Sequence, residues 1–288
     1  MATTIDLVEV GRPSAFWRSL LKSPSGVIGL VIVITLIAAA LFAPWIAPHD
    51  PLRMGAGPRF QPPSLVHWFG TDDFGRDVFS RIVYGARLTL QIGVIAVGIS
   101  LTSGLLLGLV AGYAGGWAER ILMRLVDVLF SFTEIVIALA CLAILGIGLT
   151  NAMIAIGIAS IPFYARVTHS IVLVEKGKPY FEAGIAAGAG HVRMIFLHLL
   201  PNVIPTLIVV GTLGISTAVL AAAGLSFLGL GAQPPQPEWG FMLSSSRDLI
   251  SRAPWMMIFP GMAIAITVLG FNLLGDGVRE TLDPRVMR

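Results

Sequence analysis

Residues 182–205 read EAGIAAGAGHVRMIFLHLLPNVIP, a polar and small-residue stretch set between runs of Val, Ile, Leu and Ala long enough to cross a bilayer. It carries Glu182, His191, Arg193 and His198, and it places glycine at positions 184, 188 and 190. Phe181, Ile185, Gly188, Val192, Ile195 or Phe196, and Leu199 recur at steps of three or four, the spacing that lines one face of a helix. Each glycine inside a helix costs about 1 kcal/mol relative to Ala, so Gly188 and Gly190 predict a break rather than one long rod. Pro201 and Pro205 then open the next element. The cluster Ala183, Gly184, Ala186, Ala187, Gly188 and Ala189 has little side-chain bulk and lets another backbone approach closely. Two readings are open: a docking surface, or an amphipathic helix in the membrane interface. The second normally shows a Lys/Arg-rich polar face and aromatic or Leu anchors, whereas the first half here is mostly Ala and Gly.

The rest of the chain is far more apolar. Of 288 residues, 56% are hydrophobic and 12% charged, with a mean hydropathy of +0.85, against roughly 25% charge in soluble domains. Apolar blocks of about 18 residues or more predict an all-α membrane protein. Six spans emerge, at 26–46, 88–112, 121–149, 152–174, 203–230 and 254–274. The even number puts both termini on one side. The N-terminus, 113–124, 166–193 and the C-terminus together hold 12 of the 19 Lys and Arg residues, which places that side in the cytoplasm. The first apolar run follows about 25 polar residues with Arg12, Arg18 and Lys22, and is expected to be an uncleaved span rather than a signal peptide. The expected organisation is therefore a cytoplasmic segment 1–25, a first span with an extracytoplasmic segment 26–87, a core of five spans 88–276, and a cytoplasmic tail 277–288.

Catalytic signatures are missing. No GxxxxGK[ST] occurs, and the pair Gly177-Lys178 is followed by Pro179. HExxH, GxSxG and clusters of Cys, His and carboxylate at ligand spacing are absent from the sequence as well. His191 and His198 are seven residues apart, about 10 Å along a helix, too far to share a metal ion. Cys141 stands alone in an apolar run and forms no internal disulfide. The net charge of +3 is scattered at helix ends with no basic stripe, which argues against nucleic acid. Transport remains, driven by an ion gradient or by an energy-supplying partner; gradient-driven carriers show repeats and intramembrane acids, and no clear repeat is visible here.

Glu182-Ala183-Gly184, Gly188 and Leu200-Pro201 resemble the EAA loop, EAA-x3-G-x9-I-x-L-P, of ABC importer membrane subunits. Gly184 replaces the second Ala, and His198 stands where Ile is written. FGTDDFGRDVFSRIVYGARLTL from Phe69, LGLGAQPPQPEWG from Leu228 and NLLGDGVRETLDP from Asn272 are similar to the peptide-importer branch, specifically its second permease subunit. The resemblance covers nearly the whole chain. It implies a six-span type I importer permease, not an enzyme, forming half of a pore with a homologous permease subunit in the bacterial inner membrane. The partners it implies are two cytoplasmic ATPase subunits, which bind the ATP and Mg, and an extracytoplasmic solute-binding protein. No cofactor is expected on this chain. The cargo expected is a di- or oligopeptide; nickel chelates, glutathione or opine-like solutes are the alternatives, and a gradient-driven carrier is the competing class.

The resemblance also implies that 175–201 forms a coupling helix seated in an ATPase cleft. Glu182 would be a charged anchor, Ala183, Gly184 and Gly188 would permit close approach, and Phe181, Ile185 and Val192 would fill the cleft, with Leu200 and Pro201 closing the motif. On the outer side, Asp73, Arg76, Asp77 and Arg81 stand at four-residue steps or near them. They suit salt-bridge rungs on a helix, or an outer gate or binding-protein contact. Asp127 lies three residues after Arg124, suggesting a local ion pair. Glu134 is expected about thirteen residues into the third span, where a charged carboxylate costs about 2.5 to 3.5 kcal/mol and should face water or the bundle interior. Two readings stand for it: a protonated or internally paired acid, or a residue of the translocation path that favours solutes with a positive group. Relatives commonly carry Pro immediately before this acid; Thr133 stands here.

Overall fold

A computed structural model describes the backbone of residues 13–282 and the side chains of 16–282. Arg12 and the outer parts of the two expected terminal segments, 1–12 and 283–288, lie outside the described residues. Helix α1 (Pro13–Leu20) is short and buries Leu20. Helix α2 (Pro24–Leu41) is capped by Ser23, whose side chain accepts from the Gly26 amide, and Pro24 fits the first turn because its missing N–H would have no helical partner. A single turn, α3 (Ala43–Ile46), leads into an irregular segment that ends at Asp77.

Helix α4 (Val78–Ala114) has 37 residues, about 55 Å at 1.5 Å per residue, against about 30 Å of hydrocarbon. It starts ten residues before the expected span, so the expected division at 87/88 falls inside one continuous helix. Helix α12 (Trp255–Leu282) likewise runs through the expected division at 276/277, and it buries Gly277, Val278 and Thr281.

The third expected span is not a straight rod. Helices α5 (Gly116–Phe130) and α6 (Glu134–Leu145) meet at 93°. Thr133 has φ −68° and ψ 144°, extended backbone that ends one helix and precedes the next. The remaining elements are α7 (Leu149–Lys176), α8 (Pro179–Ala186), a turn α9 (His191–Arg193) continued by a π-helical turn (Met194–Leu199), α10 (Leu200–Phe227) and α11 (Trp239–Ser246). Among the described residues five helices are long and apolar enough to cross a membrane, and six spans result when α5 and α6 count as one broken span. The fold is all-α, with no β-strand among the described residues.

The core joins α4, α6, α7 and α10 through Ile92, Ala96, Leu142, Ile156, Ala222 and Leu225. Helices α4 and α7 touch along Gly104 and Gly108. A Cβ at Gly104 would stand 2.4 Å from Tyr164 Cβ, and one at Gly108 would stand 2.4 Å from the Ala165 carbonyl oxygen. Only glycine allows this approach, which substitutes backbone packing for the hydrophobic drive that lipid cannot supply.

Candidate functional site

The elbow between α5 and α6 presents Glu134. It is the first residue of α6, where the unpaired amides of a helix N-terminus favour a carboxylate. Ser160 of α7 donates a hydrogen bond to it. The side chain is exposed, and the bend carries it to a junction of grooves. One, of about 430 Å³, runs past Phe130, Phe132, Ile137 and Phe163; another, of about 190 Å³, past Val97, Ser100, Tyr164 and Thr217; a third, of about 340 Å³, past Ile135, Ala138, Leu220 and Gly224. Glu134 lines all three and is their one carboxylate.

Asp127 does not pair with Arg124. Its partner is Arg166 of α7, at 2.6 Å, and that guanidinium lies 4.1 Å over the Phe130 ring. Glu119 and His169 make a parallel contact at 2.8 Å, so two polar links tie α5 to α7.

The predicted break at 188–190 is present. Gly188 has φ +77°, a left-handed conformation that closes α8 and that glycine adopts without a steric penalty. A Cβ there would meet nothing within 4 Å. Around it, Glu182, Ala183, Ala187, Ile185 and Val192 are exposed. Two of the residues assigned to an outside partner serve the chain itself. Phe181 is 3% exposed and packs with Val172, Met194, Leu199 and Val203. Gly184 makes room for Met194, whose sulfur would stand 2.9 Å from an added Cβ. The face left for another molecule is therefore narrower than the spacing of three and four implies. His191 is hydrogen-bonded to Tyr113 at the end of α4, Oη to Nδ1 at 2.6 Å. Lys176 donates to the carbonyls of Gly112 and Tyr113 at 2.9 and 3.0 Å, capping the same helix end with a cation.

Leu200 and Pro201 begin α10, and no turn separates them from the segment before. Pro201 cannot donate an amide hydrogen bond, and Asn202 Nδ2 satisfies the His198 carbonyl at 2.6 Å. The chain thus runs from the exposed face through a π-helical turn straight into a spanning helix.

The outer charged segment is a knot, not a rung ladder. Residues 71–77 are non-helical, Gly75 is left-handed at φ +70°, and Thr71 bridges to Asp77. Asp72, rather than Asp73 or Asp77, holds the arginines: its Oδ2 lies 2.6 Å from Arg76 Nε and 3.8 Å from Arg81 Nε, and its Oδ1 accepts the amides of Phe74 and Arg76. Asp72, Arg76 and Arg81 are all buried. Asp77 caps α4 through the Ser80 amide at 2.8 Å. Asp73 is partly exposed, 3.7 Å from Arg76; burial first, then the neighbouring Asp72, holds its carboxyl above the usual range. Arg87 donates to the carbonyls of Ala40 and Leu41, closing the C-terminal end of α2. Sequence reasoning passed over Ser160 and Arg166 as partners because each acts across elements far apart in the chain, and missed Asp72 as the hub because the turn that brings Arg76 and Arg81 onto it leaves no periodic mark. It also passed over Glu238, which is buried and caps α11 by accepting the Gly240 and Phe241 amides at 2.9 and 2.8 Å.

Comparison with known proteins places these features in context. Residues 104–288 match the family model described as binding-protein-dependent transport system inner membrane component, and residues 14–63 match the N-terminal TM domain of oligopeptide transport permease C. The dipeptide transport system permease protein DppC of Alkalihalophilus pseudofirmus is 47% identical over 94% of this chain and 89% of its own length. The di/tripeptide transport system permease protein DppC of Pseudomonas aeruginosa is 46% identical over 99% and 96%. The glutathione transport system permease protein GsiD of Escherichia coli O157:H7 is 46% identical over 94% and 90%. Among solved structures, an inward-facing MetNI methionine ABC transporter chain matches with a TM-score of 0.59 and 22% identity, over 70% of this chain and 97% of that one. That likeness is one of fold.

Proposed function

This chain belongs to the binding-protein-dependent transport system inner membrane component family, and from that premise we propose that it is the second permease subunit of an ATP-driven importer of di- or oligopeptides. It is a non-catalytic, multi-pass membrane subunit, which sets aside the gradient-driven carrier. In the proposed assembly it forms half of a pore with a homologous permease subunit. Two cytoplasmic ATPase subunits bind ATP and Mg, an extracytoplasmic protein delivers the solute, and both termini are cytoplasmic.

One observation carries the mechanism. The exposed face of Glu182, Ala183, Ile185, Gly188 and Val192 leads through the π-helical turn into Leu200, Pro201 and α10, and α10 supplies Thr217, Leu220 and Gly224 to the grooves around Glu134. A push on the face from an ATPase subunit reaches the groove wall through one helix. Nothing in the path transfers a bond; the chain converts closure of its partner into access on alternate sides. Glu134, presented by α6 and oriented by Ser160, accepts the positive group of the solute. A peptide amino terminus supplies such a group.

Glutathione is the second reading, favoured by relatives with that name at 44–46% identity. It also carries an ammonium group, so Glu134 serves either cargo. The discriminating experiment is uptake into proteoliposomes holding the whole assembly. Unmodified dipeptides should be taken up and should compete, and N-acetylated ones should not; preferential uptake of glutathione would transfer the assignment to the second reading. Uptake abolished by uncouplers and indifferent to ATP would reject both.

A further inference from the structure

The geometry points to a divalent transition-metal site, of zinc type, on the outer side of the molecule, formed by His49, His67 and Asp77. The residues are distant in sequence, which is why spacing does not disclose them. The fold brings one ring nitrogen of each histidine and a carboxylate oxygen of Asp77 within 4.8 Å of one another. His67 Nδ1 stands 2.9 Å from Asp77 Oδ1, and His49 Nδ1 stands 4.0 Å from Asp77 Oδ2. Ligand atoms of one tetrahedral zinc ion lie about 3.3 Å apart, so a cluster no wider than 4.8 Å contracts to that spacing by shifts of about 1.5 Å or less.

Two features ask for a cation here. Asp77 is completely buried, and the only side chains within 4 Å that can carry positive charge, among the described residues, are these two histidines. A buried carboxylate is costly unless it is paired or bound to a metal ion, and beyond Ser80 the groups that face this one are the two imidazoles. In addition, His49 Nδ1 is shielded from solvent and has no hydrogen-bond partner. It is too far from Asp77 for a hydrogen bond, whereas an ion between them would satisfy both atoms.

The surrounding groups suit such a site. Ser80 donates its amide and hydroxyl to Asp77 Oδ2 at 2.8 and 2.7 Å, fixing the carboxylate. The Ser80 hydroxyl in turn accepts the His49 amide at 3.2 Å. The two imidazole rings lie 4.7 Å apart and 32° from parallel. Three protein ligands leave a fourth position for water, and His49, with 26% of its side chain exposed, stands on the solvent side. The ion would pin three separate pieces of the outer layer, 47–50, 64–70 and the start of α4, and act as a staple on the face where a solute-binding partner would dock.

The test is direct titration of the purified full chain in its assembly with Zn²⁺, and with Co²⁺ as the spectroscopic probe. About one Zn²⁺ per chain should survive dialysis, the thermal midpoint should rise with Zn²⁺ concentration, and Co²⁺ should show the ligand-field bands of a four-coordinate ion. His49→Ala should weaken binding at least tenfold. Asp77→Asn should do the same while keeping the helix cap, since Asn caps as well as Asp. A wild-type chain that retains no Zn²⁺ and gives only the spectrum of hydrated Co²⁺ would overturn the site, and so would full affinity in both variants. That result would leave the His67–Asp77 hydrogen bond in its place. The wild-type spectrum decides the matter even if a variant fails to assemble.

Discussion

Glu134 and Gly188 each illustrate what a single position can tell. The carboxylate is visible in the sequence as an acid in an apolar run, but its setting is not: the elbow makes it a helix N-terminal group at the meeting of three grooves. A charge-assisted hydrogen bond is worth about 1.5–3 kcal/mol, so Glu134→Gln should weaken apparent affinity for peptides with a free amino terminus by roughly tenfold or more. N-blocked analogues, which do not compete with the unaltered chain, should still not compete. Competition for uptake measures it, and unchanged selectivity between cationic and anionic solutes would refute the role. Gly188 was legible as a break because paired glycines disfavour helix, and its left-handed φ bears that out. Since no atom of this chain crowds it, a polar residue that tolerates the left-handed region isolates the partner's contribution. Gly188→Asn and Gly188→Asp share that tolerance; the Asp variant should abolish ATP-driven uptake, while the Asn variant retains a measurable fraction. Co-purification of the ATPase with Gly188→Asp together with normal transport would dispose of the docking role.

Among the elements, the outer segment and the broken span departed most from the sequence pattern. Four-residue steps between Asp73, Asp77 and Arg81 suggested a helix, yet Gly75 and the Thr71–Asp77 bridge turn the chain back so that Asp72 meets both arginines. Periodicity counts spacing along one element and is blind to such reversals. Removing one partner of a buried ionic cluster costs about 3–5 kcal/mol, so Asp72→Asn should lower the thermal midpoint sharply. Asp73→Asn should not. Its carboxyl is held above the usual range in the folded chain, so the folded state binds its proton more tightly, and stability falls as pH rises through that raised value. Neutralising Asp73 should therefore leave stability unchanged or slightly higher at neutral pH. At the elbow, Thr133 already has φ −68°, the value Pro fixes. Thr133→Pro should be neutral or stabilising by about 0.4–1 kcal/mol and should preserve uptake; a large loss of stability would show that the elbow straightens in the working assembly.

For the whole molecule, the all-α class and five of the six expected spans were legible as apolar runs, because lipid demands long apolar stretches with internal hydrogen bonding, and the expected third span is the broken pair α5 and α6. The family was legible in the ordered signatures around Glu182, Phe69, Leu228 and Asn272, and the matches over 14–63 and 104–288 agree with it. What escaped were contacts set by chain reversals and by packing between elements: Asp127 with Arg166, Phe181 turned inward, and Asp72 in place of Asp73. The central claim is mechanical. A face at 182–192, continuous with α10, is gripped in the cytosol by the ATPase. The most direct measurement replaces Cys141, the single native cysteine, and places a cysteine cross-linker at Val192, which is 71% exposed. In intact membranes the account predicts capture of the ATPase subunit, with a yield that changes between nucleotide-free and ATP-bound states. Labelling of position 192 by a membrane-impermeant reagent from outside the cell, or no capture of the ATPase in any nucleotide state, would contradict it.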